Sequence, residues 1–154
     1  MSSEIIWSCL RFDELSTEDL YQILQLRAEI FIVEQDCAYQ DVDDFDQEGL
    51  HVMGQLSDDE AQLVSYSRLL PPEAKYEGAS IGRVITKKSA RGGGVGKALI
   101  LNSLALCKEH WPGKVITISA QLYLQTFYIE LGFETDSEPY DEDGIPHIRM
   151  QLNP

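Results

Sequence analysis

No stretch of this chain is apolar for long enough to span a membrane, and no basic-then-apolar leader opens it. A soluble, non-exported protein of the cytoplasm is therefore expected. Cysteine is scarce: Cys9, Cys37 and Cys107 are odd in number, far apart and without CxxC spacing. That argues against a disulfide frame and a zinc site, so a reducing compartment and no metal are expected. Basic residues are few, twelve Lys and Arg against 26 Asp and Glu, for a net charge of −14. Such a surface repels phosphates, which disfavours nucleic acid as a partner while permitting a cationic one. Low-complexity tracts and internal repeats are lacking as well. What remains, 154 residues of which 44% are hydrophobic, fits one domain, 1–154, large enough to bury a core.

Against that acidic background one stretch stands out, Ile81–Lys97, IGRVITKKSARGGGVGK. A β-branched run meets a short basic turn, then Arg91 with three consecutive glycines, then a run rich in helix formers. Residues 83–97 hold five cations (Arg83, Lys87, Lys88, Arg91, Lys97) and no acid. Strand, glycine turn and helix start together make an anion hole: glycine lets the backbone approach a ligand, and the first helical N–H groups lack partners. A nucleotide P-loop fails twice, because Arg91 stands where glycine is needed and Ala98 where Ser or Thr is needed. The dinucleotide pattern GxGxxG fails too, ending on Lys97 or Leu99. Along the acidic run 34–48, Asp41-x-Asp43-x-Phe45-Asp46 departs from a calcium loop at its last two positions.

The rest of the chain reads in order. Ile5–Phe12 is a strand. Ser16-Thr-Glu-Asp19 is a capping-box start for one long helix reaching about Glu34, and Glu34–Glu48 is a loop. Leu50–Ser57 and Ala61–Leu70 form a hairpin turning at Asp58-Asp59-Glu60. The helix after the glycines closes near Trp111-Pro112-Gly113, and Val115–Ala120 is a buried strand. Leu122–Leu131 is a helix with Gly132 at its C-terminal cap, and Phe133–Ser137 and His147–Leu152 pair around an acidic loop. The order β-α-β-β-β-α-β-α-β-β predicts a mixed α/β sheet with helices on both faces.

Arg91-x-x-Gly94-x-Gly96 resembles the pyrophosphate loop of the GCN5-related N-acetyltransferases (GNATs). Phe127-Tyr128-Ile-Glu-Leu-Gly132-Phe133 resembles their closing motif. LRAEIFIVEQDCAYQDVDDFD (26–46), SYSRLL (65–70) and EDGIPHIRM (142–150) extend the likeness to the ElaA-like branch over nearly the whole length. The resemblance implies the GNAT, or acyl-CoA N-acyltransferase, fold, acetyl-CoA as donor and transfer to an amine. By the same resemblance Arg91, Gly92, Gly93, Gly94, Val95, Gly96 and Lys97 would hold the pyrophosphate, and Val84, Ile85 and Thr86 would bond the pantetheine like an added strand. Gln121 stands where many members have Asn, and its longer amide can still bond the pantetheine or a backbone group.

Tyr128 falls where the family often has a tyrosine near the sulfur; a phenol is a donor at neutral pH and can protonate a departing thiolate, though core packing also accounts for it. An attacking amine must lose a proton. Glu34 is the first candidate base, ahead of His51 and His147, each of which also has a plain structural reading. Seven acids in Glu34–Glu48 and six in Glu134–Asp143 would flank the acceptor mouth and attract a cationic amine, or else be solvated loops. Two other readings stay open: a CoA-binding regulatory or interaction domain without turnover, and an acyl-transferring synthase of the same fold. Edge strands in this fold often pair, so a homodimer is among the partners to expect.

Overall fold

A computed structural model describes residues 4–58 and 61–154. The elements in chain order are β1 (Ile5–Arg11), α1 (Thr17–Arg27), β2 (Leu50–Leu56), β3 (Leu63–Leu70), β4 (Ala79–Thr86), α2 (Val95–His110), β5 (Ile116–Gln121), α3 (Gln125–Glu130), β6 (Glu134–Thr135), β7 (Tyr140–Glu142) and β8 (Ile145–Leu152). The eight strands form one sheet in the order β1-β2-β3-β4-β5-β8-β6, with β7 also on β8. Every pairing is antiparallel except β4 with β5. The predicted α/β mixed sheet is present, with one strand more than expected. The acidic loop read between the last two strands contains β7, which forms a tight hairpin with β8. Two residues of the predicted β2–β3 turn, Asp59 and Glu60, lie outside the described residues.

The capping box read at Ser16 is formed: Asp19 N donates to Ser16 Oγ and Ser16 N donates to Asp19 Oδ2, satisfying two orphan groups at the helix start. The predicted helix does reach Glu34, but its second half, Ala28–Glu34, is wound as a π-helix. Gln35 N donates to Ile30 O and Cys37 N to Ile32 O, five residues back, where α-winding would reach four.

Each face of the sheet has its own core. Ile23, Leu26 and Ile30 pack on Met53, Leu63, Tyr66 and Ile85. On the other face Leu99, Ile100, Leu104 and Cys107 of α2 pack on Val52, Leu69, Ile81 and Ile118. Strand alternation explains Val52 and Met53 facing opposite ways. In β4, however, Ile81 faces α2 and Ile85 faces α1, although an even step along a strand should keep one face. An extra residue causes the change. Tyr66 pairs with Ile85 and Arg68 with Gly82, so three steps on β4 oppose two on β3, and Arg83 in the bulge has φ +51°.

Candidate functional site

β4 and β5 pair only at Ala79–Ile116 and Ser80–Thr117; beyond Ser80 the two parallel strands part. The edge of β4 facing β5 is thus unpaired over 81–86, and between the strands lies a cavity of about 620 Å³. Val84, Ile85, Thr86, Gln121, Tyr128 and Glu34 all line it, as do Arg91 and Gly96. Gly92, Gly93, Gly94, Val95 and Lys97 form the turn and first helical residues just outside its wall.

Gly92 (φ +96°) and Gly94 (φ +77°) take backbone conformations that L side chains resist, and Gly94 caps the sixteen-residue helix α2 without a side-chain bond. A Cβ on Gly92, Gly93 or Gly94 would meet nothing within 4 Å, so the turn faces open space. The helix dipole and the free first-turn N–H groups point positive potential into that space. Arg91 Nε donates to Thr86 O at 2.9 Å, tying the turn to the end of β4, and its Nη2 donates to Glu34 Oε2 at 2.7 Å. The leading candidate for the anion and the leading candidate for the base therefore pair with each other.

Tyr128 is 4% exposed, edge-on to Phe127 and Phe133, with its pKa raised by burial and further by Tyr123. Its hydroxyl makes no hydrogen bond among the described residues, although a buried phenol usually finds one. Gln121 Nε2 donates to Gln35 Oε1 at 3.3 Å, bridging β5 to the residue after the π-helix.

The two histidines separate. His51 is fully buried and does not line the cavity. Its Nε2 lies 2.9 Å from Asp46 O, which can only accept, so Nε2 carries the proton and Nδ1 accepts from Tyr66 Oη at 2.7 Å. Burial, before any charge, lowers its pKa and suits the neutral ring. His51 is a structural residue, and the base reading for it is corrected. His147 does line the cavity, with Nδ1 2.7 Å from Ile145 O and Nε2 3.1 Å from Glu142 Oε2.

The acidic run also divides, and here the sequence reading changes most. Asp41 and Asp46 are buried, and Asp43 is partly so. Arg27 reaches Asp41 Oδ2 at 2.8 Å and Asp46 Oδ1 at 2.6 Å; Arg68 reaches Asp43 Oδ1 at 2.7 Å and Asp46 Oδ1 at 2.9 Å; Arg83 reaches Asp41 Oδ1 at 2.8 Å and Asp43 Oδ2 at 3.2 Å. Burial pushes the Asp43 carboxyl up, but Arg68 and Arg83 outweigh it and hold it down to about 2. Asp46 is likewise lowered, by Arg27 and Arg68 against burial. These three acids are neutralised, so they add little to any funnel for a cation. Arg83, counted at first with the anion-site cations, is committed to them instead. The signal available in the sequence was a lone arginine inside an otherwise strand-like run, Ser65–Leu70. Glu142 and Asp143 of the acidic run 134–143 line the cavity as well, and so does Lys75, which no local pattern singled out.

A mixed sheet that splits at its one parallel pair, beside a glycine-capped helix, is the acyl-CoA N-acyltransferase fold. The chain superposes on a crystal structure of Escherichia coli ElaA with a TM-score of 0.89, at 42% identity, covering 97% of this chain and 99% of that one. An acyl-CoA N-acyltransferase from Pseudomonas aeruginosa gives 0.88 at 38%, covering 96% and 99%. In sequence it is 45% identical to Protein ElaA of Escherichia coli K12 over 148 residues, 95% of each chain, and residues 21–154 match the acetyltransferase (GNAT) domain family. The chain belongs to the GNAT acetyltransferase family, in its ElaA-like branch.

Proposed function

We propose that this chain is an acetyl-CoA-dependent N-acetyltransferase that moves the acetyl group to a primary amine by direct attack. The observation that carries the reading is the unpaired edge of β4 opening onto a cavity beside the start of α2. Open space where glycine Cβ atoms would stand, under a cationic turn, fits a diphosphate held by Arg91 and the N–H groups of Gly92–Lys97. Val84, Ile85 and Thr86 offer a strand edge to the amides of a pantetheine arm, and Gln121 offers a side-chain amide. Acetyl-CoA supplies an activated acyl group; the chain supplies orientation and proton transfer.

Tyr128 is the acid. Burial raises its pKa, which keeps the phenol protonated at neutral pH and able to donate to a departing thiolate. Glu34 is the base, directly or through a water. A diphosphate on Arg91 competes for the guanidinium that now holds Glu34 at 2.7 Å, so cofactor binding frees the carboxylate for the amine. A backbone N–H near Val84–Ile85 would meet the oxyanion.

The test is an acceptor screen by thiol release, run beside Tyr128→Phe. Loss of a general acid costs about 100-fold or more in turnover, with acetyl-CoA binding retained. Unchanged turnover in the variant removes the acid role. Acetyl-CoA that raises the melting temperature of the wild-type chain, while no amine draws thiol release, favours the CoA-binding regulatory module instead.

A further inference from the structure

Three Lys or Arg side chains line the cavity: Lys75, Arg83 and Arg91. Two are already engaged, Arg83 by Asp41 and Asp43 and Arg91 by Glu34. Lys75 has no carboxylate within ion-pair distance among the described residues. Its loop between β3 and β4 is held by hydrogen bonds from Glu73 N to Tyr76 O at 2.8 Å and from Ala74 N to Pro71 O at 3.2 Å, so the lysine springs from an ordered turn. Lys75 is exposed over much of its surface, yet desolvation is the first cause lowering its pKa, followed by Arg83, with Glu142 and Asp43 opposing.

The same cavity is lined by Glu142, the last residue of β7, and by Asp143 in the turn to β8. Glu142 Oε2 lies 3.1 Å from His147 Nε2. A bound molecule therefore meets an ammonium without an ion-pair partner and two carboxylates in one cavity.

We infer that the acceptor is an amino-carboxylate, with Lys75 receiving its carboxylate and Glu142 and Asp143 receiving its ammonium. This rests on the transferase reading above and narrows it. A diamine or polyamine would bring a second cation to Lys75, and an uncharged amine would leave Lys75 without a partner. A carboxylate accepts charge-assisted hydrogen bonds from the lysine ammonium and supplies the ion-pair partner that it lacks among the described residues.

The experiment pairs each L-amino acid of a panel with its own carboxamide, adds aliphatic diamines, and follows thiol release from acetyl-CoA. The wild-type chain should favour at least one free acid over its amide by roughly 10-fold in kcat/KM, the size of one charge-assisted contact. Lys75→Met should collapse that ratio towards one through the KM of the acid. Lys75→Glu should invert it and favour amides and diamines. Equal use of acids and amides by the wild-type chain, or a ratio that survives both substitutions, overturns the inference while leaving the transferase intact. Acetyl-CoA binding without thiol release to any member of the panel overturns this inference, while the transferase reading is decided by the wider acceptor screen above.

Discussion

Replacing Arg27 by Met removes the one guanidinium that joins Asp41 to Asp46, at 2.8 and 2.6 Å, while keeping a side chain of comparable length. Arg27 is fully buried, and the side chains of the two aspartates are 8% and 7% exposed, so water cannot take its place. Breaking a buried pair from one side costs about 3–5 kcal/mol, because a charge is left behind without compensation. Asp41 keeps Arg83 at 2.8 Å and Asp46 keeps Arg68 at 2.9 Å, which puts the expected cost near the lower end, about 3 kcal/mol. In a domain of this size that corresponds to a fall of roughly 6–12 °C in melting temperature.

Urea unfolding of Arg27→Met, Asp41→Asn and the double variant gives the cycle. In the Arg27→Met background Asp41→Asn removes surplus negative charge, so it should cost less there than in the wild type, with a coupling of about 1 kcal/mol or more. A single variant within about 0.5 kcal/mol of wild type, the range of ordinary surface changes, would refute the reasoning. So would an Asp41→Asn cost that is the same in both backgrounds.

Acid should dismantle the same cluster in two stages. His51 has a folded pKa below its unfolded value near 6.5, so its contribution begins to fade as pH falls through about 6.5. Asp43, held to about 2, and Asp46, also lowered, contribute fully above about 4 and are lost as pH falls towards 2. Urea midpoints taken between pH 8 and 3 should decline in that order; a flat profile to pH 3 would contradict it. At the base of the split, a Cβ on Gly78 would stand 2.2 Å from Val115 O, whereas one on Gly82 would meet nothing within 4 Å. Gly78→Ala should therefore cost about 1–3 kcal/mol by overpacking, and Gly82→Ala should leave the urea midpoint nearly where it was.

Much of this architecture is local chemistry and could be read as such. The Ser16–Asp19 capping box, the glycine turn before Val95, and strands β2, β3 and β5 all declare themselves within a few residues. The same holds for the site: Val84–Thr86, Arg91, Gly96, Gln121, Tyr128 and Glu34 were singled out by short motifs and their resemblance, and they do meet around one cavity. What stayed hidden depends on partners far apart in the chain. Arg27, Asp41, Asp43, Asp46, Arg68 and Arg83 come from four segments, and no spacing announces that they converge. The aspartates did leave a trace, a near-calcium pattern, but their counter-ions proved to be guanidinium groups. The π-winding of Ala28–Glu34 has no periodic signature, and the three residues of β7 are too few to show alternation.

The bulge in β4 and the ion cluster are best understood as one device. A non-glycine residue at φ +51° costs on the order of 1 kcal/mol and needs something to hold it there. Asp41 and Asp43 do so by pairing with Arg83, and the same contacts fix the 41–43 segment. One inserted residue thus changes which face Ile85 presents, close to where β4 leaves β5, and commits the guanidinium to the loop 35–48. Cys37, Tyr39, Gln40 and Asp43 of that loop line the cavity, so the irregular strand that borders the opening also anchors its wall. An Arg83→Ala chain would keep the inserted residue and lose its anchor. The consequence to expect is a loosened wall around an opening that is still present, not a β4 that closes onto β5.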